Sequence, residues 1–213
     1  MKCDLDECKF GLRMLWRPGD TAKRQRSVRD SLLFYYYFSL VPLLLYVAAG
    51  YVFYHYLGAT AIVNFMPMMR AFMRLPVGFG PALLVDAVVL FWILTPIGIA
   101  IDAFLYQLVG RRLLNAWKGD YSKTFTALMY AVLPQTALYW LFAIPIVNIL
   151  ALPIIATWAI VVLVIALAAQ QRIRRTDAAI VVATTAGLAL LVVFLLMAGL
   201  FLAVLGGYGQ SMV

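Results

Sequence analysis

The second half of this chain contains one long polar break, Leu114–Pro134, with extended apolar runs on both sides of it. A helix needs about 20 predominantly apolar residues to cross the ~30 Å hydrocarbon core of a bilayer. Runs of that length joined by short polar breaks fold as helices in a membrane, where every backbone polar group must be satisfied internally. Composition agrees. The chain is 65% hydrophobic, against roughly 45–50% in soluble domains, and its mean hydropathy is +0.95. Nine Asp and Glu residues among 213 cannot solvate a globule of this size. The net charge of +8 therefore points to positive residues that flank spans and meet anionic lipid headgroups. No separate basic domain calls for nucleic acid.

Residues 1–30 read as a cytoplasmic segment. Phe10, Leu12, Met14, Leu15 and Trp16, with Arg13 and Arg17, predict a short helix lying on the headgroups and stopped by Pro18-Gly19. Asp20 or Thr21 is a candidate N-cap for a following basic helix with Lys23, Arg24, Arg26 and Arg29. That run is a positive-inside anchor or, alternatively, a docking surface for an acidic partner. Cys3 and Cys8 are too few for a metal site with no histidine beside them and read as reduced thiols.

Five spans follow, at 31–57, 83–109, 124–144, 146–169 and 178–205, and an uncharged tail covers 206–213. The fold class is all-α, a five-helix membrane bundle with short interfacial helices. Phe34–Phe38 and Tyr51–Tyr56 read as aromatic belts at the two ends of the first span, with His55 in the outer one. Residues 58–82 form an outer loop whose Asn64–Pro76 stretch places Arg70 and Arg74 on one helical face. Thr95-Pro96-Ile97-Gly98 should kink the second span. Pro145–Asn148 turns the third span tightly into the fourth, which makes those two antiparallel. Ala179, Ala183 and Gly187 put a small-residue stripe on the fifth. With the N-terminus inside and the C-terminus outside, 15 of the 17 Lys and Arg residues fall on the cytoplasmic side. The inner surface then carries Lys23, Arg24, Arg26, Arg111, Arg112, Arg172, Arg174 and Arg175.

Ionisable and amide residues inside spans are candidates for function, and here they are Asp86, Asp102, Gln107 and Gln135. Asp86 and Asp102 stand sixteen residues apart. On a straight helix that separates them by roughly 24 Å and turns them to opposite sides, so they form no carboxylate pair. Asp86 is close enough to the outer interface to be solvated, whereas Asp102 needs a partner such as Tyr106 or Gln135. In the polar break itself, Gly119 is expected to turn the chain, Asp120 or Ser122 to cap the third span, and Tyr121 to anchor at the headgroups. Pro134 is expected to open backbone hydrogen bonding beside Gln135.

Several features occur together in a fixed order: Trp16-Arg-Pro-Gly-Asp20 before the first span, a basic loop with Gly119-Asp-Tyr-Ser122 after the second, Tyr130-Ala-Val-Leu-Pro134 in the third, and Trp158–Leu167 closing the fourth. Over residues 15–205 this pattern resembles the Yip family, the Ypt/Rab-interacting membrane proteins with a five-span Yip domain. Eukaryotic members carry a longer N-terminal region with an Asp-Leu-Tyr-Gly-Pro motif that this chain lacks, so the resemblance is to the prokaryotic branch. It implies a membrane location and not Rab-type GTPase binding. Gly119, Tyr121 and Pro134 are the residues that carry the family motifs.

The expected function is a non-catalytic scaffold in the cell membrane that organises anionic lipid, copies of itself or another membrane protein. The alternative is a small channel, transporter or lipid-moving protein built on Asp102 and Gln135. An intramembrane enzyme is disfavoured: there is no Gly-x-Ser-Gly nucleophile, no pair of facing carboxylates and no His-Glu-x-x-His. No cofactor or metal is called for.

Overall fold

A computed structural model of the chain describes residues 5–65 and 88–210, and every regular element among them is helical. The helices are α1 (Leu5–Trp16), α2 (Pro18–Thr21), α3 (Val28–Phe65), α4 (Thr95–Leu108), α5 (Tyr121–Leu138), α6 (Pro145–Gln171) and α7 (Arg175–Gln210). Wide π-helical stretches, Val88–Leu94 and Val109–Leu113, flank α4, and a 3₁₀ turn, Tyr139–Ala143, ends α5. Four stretches are long and apolar enough to cross a membrane: Val28–Val52, Trp92–Leu113, Leu150–Gln171 and Arg175–Gly199. Asp86, Cys3 and most of the Asn64–Pro76 stretch, with Arg70 and Arg74, lie outside the described residues.

Helix α5 is the centre of the bundle and packs against α3, α4, α6 and α1. Its Phe125, Ala127, Leu128, Met129, Tyr130, Ala131 and Leu133 are buried. They meet Phe34 and Tyr35 of α3, Ile99 and Ala103 of α4, and Val162, Leu163, Ala166 and Leu167 of α6 in one core. Pro134 is buried within α5, and the helix continues through it to Leu138. A 3₁₀ segment follows and leads into Pro145 at the start of α6. Proline suits that first helical position because its missing N–H would have no partner there.

Among the described side chains of α7, those that are buried lie in its first part. Ala178, Val181, Val182 and Thr185 are buried, whereas the apolar side chains from Leu188 to Met197 are exposed. A helix that is apolar all round belongs in lipid.

Four sequence expectations change. The helix of the first span starts at Val28 and runs on to Phe65, past the expected end at residue 57. Its start is capped by Ser27, not by Asp20 or Thr21: the Asp30 N–H donates to Ser27 Oγ at 3.1 Å, and the Ser27 hydroxyl itself donates to the Asp30 carboxylate at 2.7 Å. No basic helix forms at 22–27, which is non-helical. The Phe34–Phe38 cluster is not a belt, since Phe34 and Tyr35 are core residues and the Tyr36 hydroxyl donates to the Trp92 carbonyl at 3.1 Å.

The fourth change explains the third. Helix α1 does not lie apart on a membrane surface but packs into the bundle. Phe10 meets Phe34 and Tyr130 with ring centroids 5.6 Å away in both cases, and Met14 is fully buried. Gly11 packs so closely on the Phe38 ring that a methyl group there would collide with it. The Trp158 indole donates to the Leu15 carbonyl at 3.1 Å. An apolar helix face gains the same burial from protein as from lipid, and a groove between α3, α5 and α6 provides it.

Candidate functional site

Polar contacts gather at one end of the bundle, where residues 22–27, the 109–120 loop and the end of α6 come together. The first group of contacts holds the N-terminal segment by its backbone. Gln170 donates through Nε2 to the carbonyls of Ala22 and Arg24, at 2.6 and 2.9 Å. The Tyr130 hydroxyl donates to the Arg24 carbonyl at 2.9 Å. Thr126 and Ser122 both donate to the Arg26 carbonyl, at 3.1 and 3.3 Å. A segment without secondary structure leaves its carbonyls needing donors, and side chains of α5 and α6 supply them. Above the segment, the guanidinium groups of Arg24 and Arg26 lie over the Phe10 ring at 5.3 and 4.9 Å, and that of Arg26 over Phe34 at 4.2 Å. Each such cation–π contact contributes about 0.5–2 kcal/mol.

The second group centres on Gln107. Its Oε1 accepts from the Trp117 indole at 3.2 Å and from the Thr124 hydroxyl at 2.6 Å. Its Nε2 donates to the Gly119 carbonyl at 2.7 Å. Thr124 in turn accepts from Gln171 Nε2 at 2.9 Å. The proton direction is consistent along the chain Gln171 to Thr124 to Gln107, which fixes the orientation of both amides. One connected set of donors thus ties α4, the following loop, α5 and α6 together.

The loop reaches Gln107 by folding back. The Leu114 N–H bonds the Val109 carbonyl at 2.9 Å and the Ala116 N–H bonds the Gly110 carbonyl at 2.7 Å, while Asn115 takes a left-handed φ of 49°. Asparagine is among the few non-glycine residues that tolerate that region. Trp117 then lies buried against Gly110, where a methyl group would overlap the indole. The turn expected at Gly119 is therefore made at Asn115. Gly119 is needed instead because the Gln171 side chain occupies the place of its Cβ.

Tyr121 does not reach outward to headgroups. It is half-buried, and its hydroxyl donates to the Ala100 carbonyl of α4 at 2.9 Å. Asp120 takes the N-cap position of α5 with extended backbone but makes no side-chain cap bond. Ser122 is spent on Arg26. Among the basic candidates, Lys23, Arg24, Arg111, Arg112, Arg172, Arg174 and Arg175 are exposed around this end and Arg26 is half-buried. Gln170, Gln171, Thr124, Thr126 and Trp117, which are not among the sequence candidates, complete the joint with Tyr130, which opens the Tyr130–Pro134 motif. The signal they left is a pair of glutamines at the end of an apolar run, which reads as the start of a loop.

The remaining candidates stand apart from the joint. Asp102 and Gln135 are both exposed on the outside of the helices, and neither takes a hydrogen bond or ion pair among the described residues. Asp102 sits at the centre of the apolar stretch Trp92–Leu113. Insertion scales place the cost of an aspartate at that depth at about 2.5–3.5 kcal/mol.

Apolar helices of membrane-crossing length, a packed polar joint at one end and a lipid-like exterior make this a multi-pass helical membrane protein. The Yip1 domain family model matches residues 12–198, and the chain belongs to that family. No curated protein and no solved structure matches it.

Proposed function

We propose that this protein is a non-catalytic scaffold of the cell membrane, with five spans, its joint on the cytoplasmic side and its C-terminus outside. It organises anionic lipid around its basic end and holds other membrane proteins or further copies against its helices. The observation that carries the reading is how the polar groups are used. Gln107, Thr124, Thr126, Tyr130 and Gln170 are each engaged in fixing backbone or one another, and the cationic side chains are left exposed around them. A fixed ring of exposed Lys and Arg is what an anionic leaflet attracts.

The span that joins the four apolar stretches in this reading is α5, third in chain order. With the 3₁₀ turn it extends roughly 37 Å at 1.5 and 2.0 Å per residue, enough for a ~30 Å hydrocarbon core. Its Thr and Ser residues lower its hydropathy but are satisfied: Thr124 by Gln107 of α4, Ser122 and Thr126 by the Arg26 carbonyl, and Thr136 by the Val132 carbonyl of its own helix. Transport through Asp102 and Gln135 would want those two groups in one polar site, and no hydrogen bond links them.

The test is lipid selectivity. Spin-labelled phosphatidylglycerol and phosphatidylcholine are compared at the surface of the purified protein in vesicles. Each exposed cation near the surface contributes about 1 kcal/mol, so selectivity of severalfold for the anionic lipid is expected. It should fall when Arg172, Arg174 and Arg175 are replaced by Gln. Equal occupancy in the unmodified protein overturns the reading.

A further inference from the structure

We propose that the outer face of α4 docks a transmembrane helix of another protein that carries a Lys or Arg near the bilayer centre, with Asp102 as its counter-ion. This rests on the scaffold reading and names the chemistry of one partner.

Asp102 is held outward by the packing of its own helix. Pro96, Ile99 and Ala103, roughly 60–120° round α4 from Asp102, are buried, Ala103 fully so, and the exposed carboxylate stands at the edge of that packed face. The Ala100 carbonyl receives Tyr121, and Gln107 is the hub of the joint. Rotating α4 to hide Asp102 would break both. The side chain cannot escape along the helix either. It is short, and Arg111 lies roughly 14 Å further on by helix rise, beyond what snorkelling by a carboxylate covers.

Beside Asp102 lie Ile101 and Leu105, both exposed, and, one turn on, the half-buried Tyr106, which makes no hydrogen bond with it among the described residues. A carboxylate fixed in that setting is satisfied by a donor from outside, and charge complementarity selects a cation. A second copy does not provide one among the described residues. Arg29 stands in the first turn of α3, Lys123 in the first turn of α5, Arg111 and Arg112 at the end of the second apolar stretch, and Arg175 at the start of the fourth; Leu150–Gln171 has none. Two copies meeting on this face would instead bring carboxylate to carboxylate.

The experiment uses the full chain in neutral-lipid vesicles and labelled Leu-rich transmembrane peptides of roughly 21 residues, one with a central Lys and one with Leu there. Energy transfer reads association. The expected result is that the Lys peptide binds the unmodified protein about tenfold more tightly than the Leu peptide, and that Asp102→Asn removes the difference. Reversing the charges, Asp102→Lys with a central-Asp peptide, should restore it, which guards against a folding defect in a single variant. Equal binding of the two peptides, or a preference that survives Asp102→Asn, overturns the proposal. So does transfer between differently labelled copies that is lost in Asp102→Asn, because a second copy would then cover this face. Anionic-lipid selectivity measured on the same preparations is independent of Asp102, so failure here and failure of the scaffold reading give different results.

Discussion

The amide oxygen of Gln171 occupies the space in which Gly119 would carry a Cβ. It takes no hydrogen bond among the described residues, while its Nε2 holds Thr124 at 2.9 Å. The loop before α5 and the end of α6, far apart in sequence, are therefore in contact through a glycine that has no unusual φ. Gly119→Ala should displace the Gln171 amide and cost about 1 kcal/mol, the net value of one buried hydrogen bond. The steric origin is checked with a double-mutant cycle read by chemical unfolding in micelles. In a Gln171→Ala background the Gly119→Ala cost should disappear. If it persists unchanged, backbone conformation and not the side-chain contact makes glycine necessary.

Replacing Gln107 by Leu removes an acceptor shared by Trp117 and Thr124 and the donor to Gly119. Leaving buried partners unsatisfied costs about 1–3 kcal/mol each, so this variant should be less stable than Thr124→Val, which leaves the Trp117 bond in place. Trp117 should also become accessible: in a chain with its other tryptophans replaced by Phe, Gln107→Leu should shift the emission to the red and admit iodide quenching. An unchanged spectrum would show that the packing on Gly110 alone holds the indole.

Hydrophobic runs made the helices legible because a membrane leaves few ways to satisfy backbone and bury apolar surface. The joint was much less so. Gln107 stood out as an amide within an apolar run, but its partners meet it only because the loop folds back at Asn115, and no periodicity announces that turn. Tyr121 has one sequence signature for a headgroup anchor and for a contact with the next helix. The amphipathic pattern of α1 likewise fits a lipid surface and a protein groove equally well. What decides between them is the groove formed by α3, α5 and α6, a tertiary feature. Asp102 was legible as a mid-span carboxylate, but its exposure depends on the rotation of α4, which Gln107 and Tyr121 set.

The N-terminal segment is held mainly through its carbonyls, so its attachment should depend on α5 and α6 more than on its own side chains. Gln170→Ala deletes two donors at once, and Tyr130→Phe deletes one. Limited trypsin digestion at Lys23 and Arg24 should accelerate in both, more in Gln170→Ala. At about 1 kcal/mol per bond, cleavage that tracks the open population should rise roughly fivefold for Tyr130→Phe. Equal rates in all three proteins would mean that Phe10 and Met14, not the carbonyl contacts, keep the segment in place.

Arg172 separates the two roles of the basic end. It closes α6 in the left-handed region at φ 56°, with the Ile173 N–H bonded to the Ala168 carbonyl at 3.1 Å, a helix ending that glycine usually occupies. The left-handed conformation costs a residue with a Cβ about 1–2 kcal/mol. Arg172→Gly should therefore raise stability by about 1 kcal/mol while removing one exposed cation from the ring with Arg174 and Arg175. Arg172→Ala removes the same charge but keeps the backbone cost. Unfolding should distinguish the two variants, with only the glycine one stabilised, and anionic-lipid selectivity should fall equally in both. If glycine gives no gain, the guanidinium stabilises the helix end by as much as the conformation costs, as a cation can at a helix C-terminus. In that case raising ionic strength should weaken the unmodified protein and leave Arg172→Gly unaffected.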